Sequence, residues 1–490
     1  MGGRIDSEPA RRGCPAFAHL TFPESPAFGS AASGAVCALA RRLLEVQSDT
    51  LMPPRNLSLS DAIGLLRPRD TLALGFGPAE PTPLLEVLSV REDWTDLLVY
   101  GGLLSQPFEI FTKPGVRFRS IFMGAAERTL RDAGCDVQFV PGDFRRFAKA
   151  LRRVNPRVLA TSATPPDRSG WMSLGLVAAE QADELHRYAR DPERLLVVLT
   201  NPLLPWTMGL PPEHPHGIHV DEVDVIVEAA WEPIENRELE PNDAERRMAE
   251  HALRFIHDGC TLQTGIGTVP AIVADALAAG SGGDYGIHSE LFTPGLMKLH
   301  EAGKVTNRKG QFDGLSIATF AQGNQALYRW LDGQQAVRFL PVRIVNDPSV
   351  IARNRQMVSI NGALGVDLKG QLVADQLATG QYSGIGGHED FVTGASLCPD
   401  GHSLICLPST ARLRDGRRTS KIVTSIPRGI AVTTPRHQVD VVITEWGAAE
   451  LAGRTERERA ELLVAIAHPA VREALRAGAT DLLEVPDGES

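Results

Sequence analysis

The stretch LALGFGPAEPTPLLEVL, residues 72–88, and its echo LQTGIGTVPAIVADAL, residues 262–277, decide the fold. Each opens on an apolar run, passes a Gly-x-Gly (Gly75 and Gly77; Gly265 and Gly267), meets a proline and continues at helical period. That is the grammar of strand, tight turn and helix. Each copy is followed by a strand opening on aspartate, Asp96-LLVYGG and Asp284-YGIHSE. Farther on, Asp167-RS-Gly170 is echoed by Asp367-LK-Gly370, both composed like hairpin turns. VDVIVE from Val223 returns as VDVVITE from Val439. The unit is far longer than the ~50 residues of a solenoid repeat. It predicts two related domains; two unrelated domains sharing the same grammar are the alternative.

Between these landmarks, short apolar runs at 71–74, 96–100, 157–161, 195–199 and 223–227 read as strands. Amphipathic stretches at 125–133 and 174–189 read as helices. Strands alternating with helices predict an α/β architecture of two tandem related domains with mainly parallel sheets. The expected division is 1–45 for an extension and a first helix, 46–235 for one α/β domain and 236–490 for the other. The first helix falls at 31–46, after a Pro-, Gly- and Ser-rich start.

The 490 residues are 43% hydrophobic and 22% charged, enough to build a large core and incompatible with wholesale disorder. A net charge of −10 argues against a general nucleic-acid partner or an anionic membrane surface, though not against a small anion in a local pocket. Six cysteines (Cys14, Cys37, Cys135, Cys260, Cys398, Cys406) occur without a CxxC pair and read as reduced thiols. No apolar run approaches the ~20 residues of a membrane span. The start MGGRIDSEPARRG has no signal-peptide core, so a cytoplasmic protein is expected.

Both Gly-x-Gly turns lack the third glycine of a dinucleotide fingerprint, and no acidic residue stands where the ribose would need it. Nicotinamide binding is disfavoured. A turn of this kind can still aim N–H groups at an anion, and Gly265 is the better candidate of the two. SGIGGHEDF, from Ser383 to Phe391, frees the backbone to point N–H groups at developing negative charge, as an oxyanion hole requires. A plain glycine-rich loop is the other reading. Glu290 ends DYGIHSE where the first half has Gly101-Gly102. A carboxylate present in one copy alone is a candidate catalytic group, with a helix-capping or surface charge the alternative. His288 reads as a packing or hydrogen-bonding residue. His214, His216 and His219 read as a solvated Pro-rich loop rather than a metal site. Arg412, Arg414, Arg417, Arg418 and Lys421 form a basic run that could meet phosphates or simply face solvent.

Taken together, GIGTVP (265–270), GIHSE (286–290), VNDP (345–348), SGIGGHEDFVTGA (383–395), VDVVITEWGAAELAG (439–453) and ERAELLVAIAHP (458–469) are specific. With them the sequence resembles the acetyl-CoA hydrolase/transferase family of class I CoA-transferases, nearest the 4-hydroxybutyrate and butyrate CoA-transferase branch, from about residue 52 to 474. The resemblance implies that Glu290 is a nucleophile carrying a glutamyl-CoA thioester. It makes Gly386 and Gly387 oxyanion-stabilising backbone and Asn346 a polar group near the acyl site. It gives Gly265, Ile266, Gly267, Thr268, Val269 and Lys421 to coenzyme A. His388, where relatives often have Gln, is then a candidate for substrate preference, and LFTPG after Glu290 also departs from the family pattern. Acyl-CoA and a short-chain carboxylate such as acetate are the implied substrates, with no permanently bound cofactor, no metal and a homo-oligomer. An acyl-CoA hydrolase on the same scaffold, or a non-catalytic CoA-binding subunit, are the alternatives. A free glutamate, with a pKa of about 4.3, needs no base to be an anion at neutral pH.

Overall fold

The computed structural model describes residues 54–189, 191–236, 240–413 and 415–479. The expected extension and first helix, Cys14, Cys37, Arg414 and part of the expected junction between the halves lie outside the described residues.

A parallel strand covered on both faces needs small or apolar residues throughout. Val158–Ala163 and Leu195–Thr200 meet that demand, with all their residues buried. They occupy the middle of an eight-stranded sheet ordered Arg55–Leu57, Val225–Glu228, Leu195–Thr200, Val158–Ala163, Arg69–Leu74, Asp96–Gly101, Val116–Ser120 and Val137–Phe139. Every neighbouring pair in it is parallel. A second sheet runs Gly286–Ile287, Thr261–Thr264, Met357–Gly362, His402–Cys406, Val441–Thr444 and Gly447–Glu450. Only its last pair is antiparallel.

The repeated segments hold equivalent places. In the first sheet the strands opening at 225, 195, 158, 69 and 96 are successive neighbours; in the second, those opening at 441, 402, 357, 261 and 286 repeat that order. The paired turns agree atom for atom. Asp167 Oδ1 accepts the N–H groups of Ser169 and Trp171 at 2.8 and 3.0 Å. Asp367 Oδ1 accepts those of Lys369 and Gln371 at 3.1 and 2.9 Å. Gly170 and Gly370 close the turns at φ +86° and +88°, where a side chain would be strained.

Alternation along the strands sends side chains into different cores. Leu72 and Leu74 pack with Val99, Phe118 and Val197 on one face of the first sheet. Ala73 and Val198 face a core that continues to Leu262, Ile360, Leu404 and Ile443 of the second sheet. Each fully buried Leu or Ile there contributes about 1.5–3 kcal/mol.

One helix is shorter than its sequence pattern. Of 174–189, only Gln181–Tyr188 is helical. The N–H groups of Ala178 and Ala179 instead donate to Thr319 O (2.8 and 3.2 Å), and Ala321 N–H donates to Leu176 O (2.8 Å). These long-range bonds override the local preference. Among the described residues, no helix is long and apolar enough to cross a membrane.

Candidate active site

In each sheet the strand before the Gly-x-Gly turn has its successor on one side and later strands on the other. Such a reversal opens a crevice at the carboxyl ends of the strands. Both carboxyl edges line one cavity of about 900 Å³. The first contributes Phe76, Leu103, Ile121 and Phe144; the second contributes Gly265 to Pro270, Glu290, Ile360 and Cys406.

Glu290 follows the short strand Gly286–Ile287, and its backbone carbonyl accepts the N–H groups of Thr319 (3.0 Å) and Phe320 (3.2 Å). The carboxylate Oε2 accepts a 2.5 Å hydrogen bond from Asn346 Nδ2. Burial pushes the Glu290 carboxyl up to about 7, against the pull of the Asn346 donor. Full ionisation at neutral pH, expected of a free glutamate, is therefore not met in this site. The cause is desolvation, which disfavours the charged form.

Gly386 and Gly387 press against that carboxylate. A Cβ on Gly387 would run into Glu290 Oε2 and Asn346 Nδ2; one on Gly386, at φ +58°, would sit 3.5 Å from Glu290 Oε1. Gly387 is also the N-cap of the helix His388–Leu397, with no side-chain cap. The glycines thus bring the positive end of a helix up to Glu290. Asn346 is fully buried at the end of Val342–Val345. His288, also fully buried, places its Nε2 2.8 Å from Val345 O, beside Asn346; burial drops it to about 3 and keeps it neutral. His388 lines the cavity, with Nε2 2.9 Å from Thr434 Oγ1, and burial lowers it to about 4.

Behind the pair stands a group that spacing alone does not reveal. Asn346 Nδ2 also lies 3.4 Å from Asp390 Oδ2, and Asp390 Oδ1 is 2.5 Å from Arg145 Nε. Asp390 has a side chain 1% exposed; burial raises its carboxyl and the Arg145 guanidinium draws it back. Asp390 lies inside the SGIGGHEDF motif and could have been found there, whereas Arg145 comes from the other half of the chain with no motif to mark it.

Gly265, Ile266, Gly267, Thr268 and Val269 all line the cavity. Gly267, at φ +143°, caps the twelve-residue helix Thr268–Ala279 without a side-chain bond, so its first N–H groups have no side-chain acceptor. A Cβ on Gly265 would meet only Ile360 O, at 3.7 Å. Arg412 and Arg418, opposite each other in a two-stranded ladder, also line the cavity. Arg417 pairs with Asp415 at 2.7 Å. Lys421, next along the chain from Ser420, is not among the lining residues; burial lowers its pKa.

The histidine-rich loop differs from its expected solvation. His216 is buried, stacks on Phe339 at 5.4 Å and bonds Gly175 O at 3.0 Å. Packing against Phe339 takes this ring out of solvent. Among the described residues, no group of three or more His, Cys, Asp or Glu is placed to hold a metal ion.

Comparison with known proteins identifies the family. Residues 323–479 match the acetyl-CoA hydrolase/transferase C-terminal domain. The chain is 32% identical over 426 residues to the 4-hydroxybutyrate coenzyme A transferase of Clostridium kluyveri, covering 84% of this chain and 94% of that one. It is 33% identical over 418 residues to the succinyl-CoA:cyclohexane-1-carboxylate CoA transferase of Geobacter metallireducens, covering 84% and 92%. The crystal structure of RipA from Yersinia pestis matches with a TM-score of 0.78 at 32% identity, over 87% of this chain and 97% of that one. The chain belongs to the acetyl-CoA hydrolase/transferase family of CoA-transferase enzymes.

Proposed function

We propose that the protein moves coenzyme A from a short-chain acyl-CoA to a carboxylate acceptor such as acetate, with Glu290 as nucleophile. The observation that carries this reading is the contact of Glu290 with Asn346 and the Gly386–Gly387 turn at the cavity wall. A Glu290 carboxylate oxygen attacks the thioester carbonyl, and the thiolate of coenzyme A leaves as the acyl-glutamyl anhydride forms. The thiolate then attacks the glutamyl carbonyl, expelling the first carboxylate and leaving glutamyl-CoA. The acceptor carboxylate repeats the two steps in reverse and restores Glu290. Each addition passes through an oxyanion, and backbone donors at the glycine turn would lower each barrier by about 2.7–4 kcal/mol apiece.

The helix N-terminus at 267–269, without a side-chain cap, offers N–H groups to the phosphates of coenzyme A. Arg412 and Arg418 supply cations at the cavity, so a −10 chain can hold a polyanionic substrate locally. Incubation with acyl-CoA followed by borohydride should reduce the glutamyl thioester, and peptide mass analysis should find the change on Glu290. Turnover with Glu290 left unmodified would overturn the mechanism. Adding acetate should accelerate acyl-CoA consumption; equal rates without it would make the protein a hydrolase.

A further inference from the structure

The cavity is asymmetric around Glu290. Phe76, Phe144 and Phe320 all line it, and none is more than 4% exposed. Their rings interlock: Phe76 and Phe144 lie 4.4 Å apart, Phe76 and Phe320 meet edge to face at 5.7 Å, and Phe144 and Phe320 do so at 6.1 Å. Two of these residues are tied to the reacting centre by their own backbones. Phe320 N–H donates to Glu290 O at 3.2 Å, and Phe144 N–H donates to Gly386 O at 3.1 Å. The aromatic wall is therefore fixed to the two elements that hold the nucleophile and its glycine turn. Leu103, Ile121 and Phe122 extend the same apolar lining.

The charges nearby have the wrong sign for a second carboxylate. Glu290, Asp390 and Asp143 are all acidic, and the cations beside them are already paired: Arg145 lies 2.5 Å from Asp390 and 3.6 Å from Asp143, and Arg146 lies 3.1 Å from Asp143. The cations of the lining, Arg247, Arg412 and Arg418, are carried by the Asp243–Leu253 helix and the 410–420 hairpin, not by the elements that carry the rings. A free carboxylate pushed against the phenyl wall would lose its water without gaining a partner.

We propose that the acyl end of this site accepts apolar monocarboxylic acyl groups and rejects acyl groups bearing a second carboxylate, with Phe76, Phe144 and Phe320 as the selecting wall. This rests on Glu290 as the point where the acyl carbon reacts. The test compares butyryl-CoA with succinyl-CoA as donors to acetate on the full-length protein, reading acetyl-CoA formation as kcat/KM for each donor and, in parallel, the label trapped on Glu290. Butyryl-CoA should be preferred by roughly 100-fold or more, the scale at which a pocket discriminates strongly. Comparable kcat/KM for the two donors would overturn the inference even if Glu290 is labelled by both. A preference for butyryl-CoA without any label on Glu290 would keep the wall and sink the nucleophile. Phe144→Leu and Phe144→Ala should shift preference from butyryl-CoA towards hexanoyl-CoA by about tenfold, a methylene-scale effect. Thermal melting identifies the folded variants, and an unchanged chain-length preference in a folded one removes Phe144 from the wall.

Discussion

Gly75 and Gly265 end equivalent strands in two sheets of the same order, yet their surroundings are opposite. A Cβ on Gly75 would meet Ala79 O and Thr161 Oγ1 at 2.5 Å and Gln181 Oε1 at 2.9 Å; on Gly265 it would meet only Ile360 O at 3.7 Å. One turn is packed shut and the other opens on the cavity. The next strand repeats the contrast: Gly101 and Gly102 in the first half are packed against Leu74, Phe118 and Ile121, while Ser289 and Glu290 hold the corresponding place beside the cavity. The scaffold is used twice, and the chemistry proposed here occupies the copy whose turn was left open.

The contrast breaks most sharply at Glu290. Glu290→Gln keeps the shape but removes the proposed nucleophile, so kcat should fall on the order of 10⁴-fold or more, with no glutamyl label in mass analysis. Because the change removes a buried carboxyl and nothing in the core, the melting temperature should not drop. Next in size is Gly387→Ala. The obstacle to its Cβ is the far end of Glu290 and Asn346, which can swing away, so the fold should survive. The proposed nucleophile is what moves, and displacement of about 1 Å costs roughly 100-fold in rate. Loss of folding in place of loss of kcat would refute this account of the glycine.

A smaller effect isolates Asn346. In the proposed mechanism Glu290 must be ionised to attack, and burial holds its pKa at about 7. The rate of thioester formation should therefore rise about tenfold per pH unit below 7 and level off above it. Asn346 bonds the carboxylate and so favours the charged form. Asn346→Ala should move the rising limb to higher pH by about one unit or more and slow the enzyme roughly tenfold at pH 7. A limb that stays put would show that the 2.5 Å contact does not govern ionisation.

Most of the scaffold was legible because it rests on local pattern. The five apolar runs are strands, and the aspartate turns at 167–170 and 367–370 form as their composition requires. Glu290 stood out because it appears in one copy of a repeat. What stayed hidden depends on contacts between distant segments. Nothing in the spacing of Arg145 announces an ion pair with Asp390, and the Pro-rich setting of His216 points to solvent although Phe339 covers the ring. The upward shift of Glu290 is likewise a property of burial, which residue identity does not encode. The shortened helix at 181–188 has the same origin, since Thr319 takes hydrogen bonds that a longer helix would have kept.

The smallest effects separate the two glycine turns themselves. Gly75→Ala forces a methyl group against a backbone oxygen and two buried side-chain oxygens, an overpacking worth about 1–3 kcal/mol. It should lower the melting temperature by a few degrees while leaving the KM for acyl-CoA unchanged in the protein that remains folded. Gly265→Ala has room for its methyl group, so melting should stay as it was. That methyl group instead narrows the mouth of the Thr268–Ala279 helix, where backbone N–H groups face the cavity. A rise in KM of a few-fold, about 1 kcal/mol of binding, with little change in kcat is the expected signature. If both substitutions act on stability alone, the second turn is as structural as the first, and the phosphate site must be sought at Arg412 and Arg418 instead.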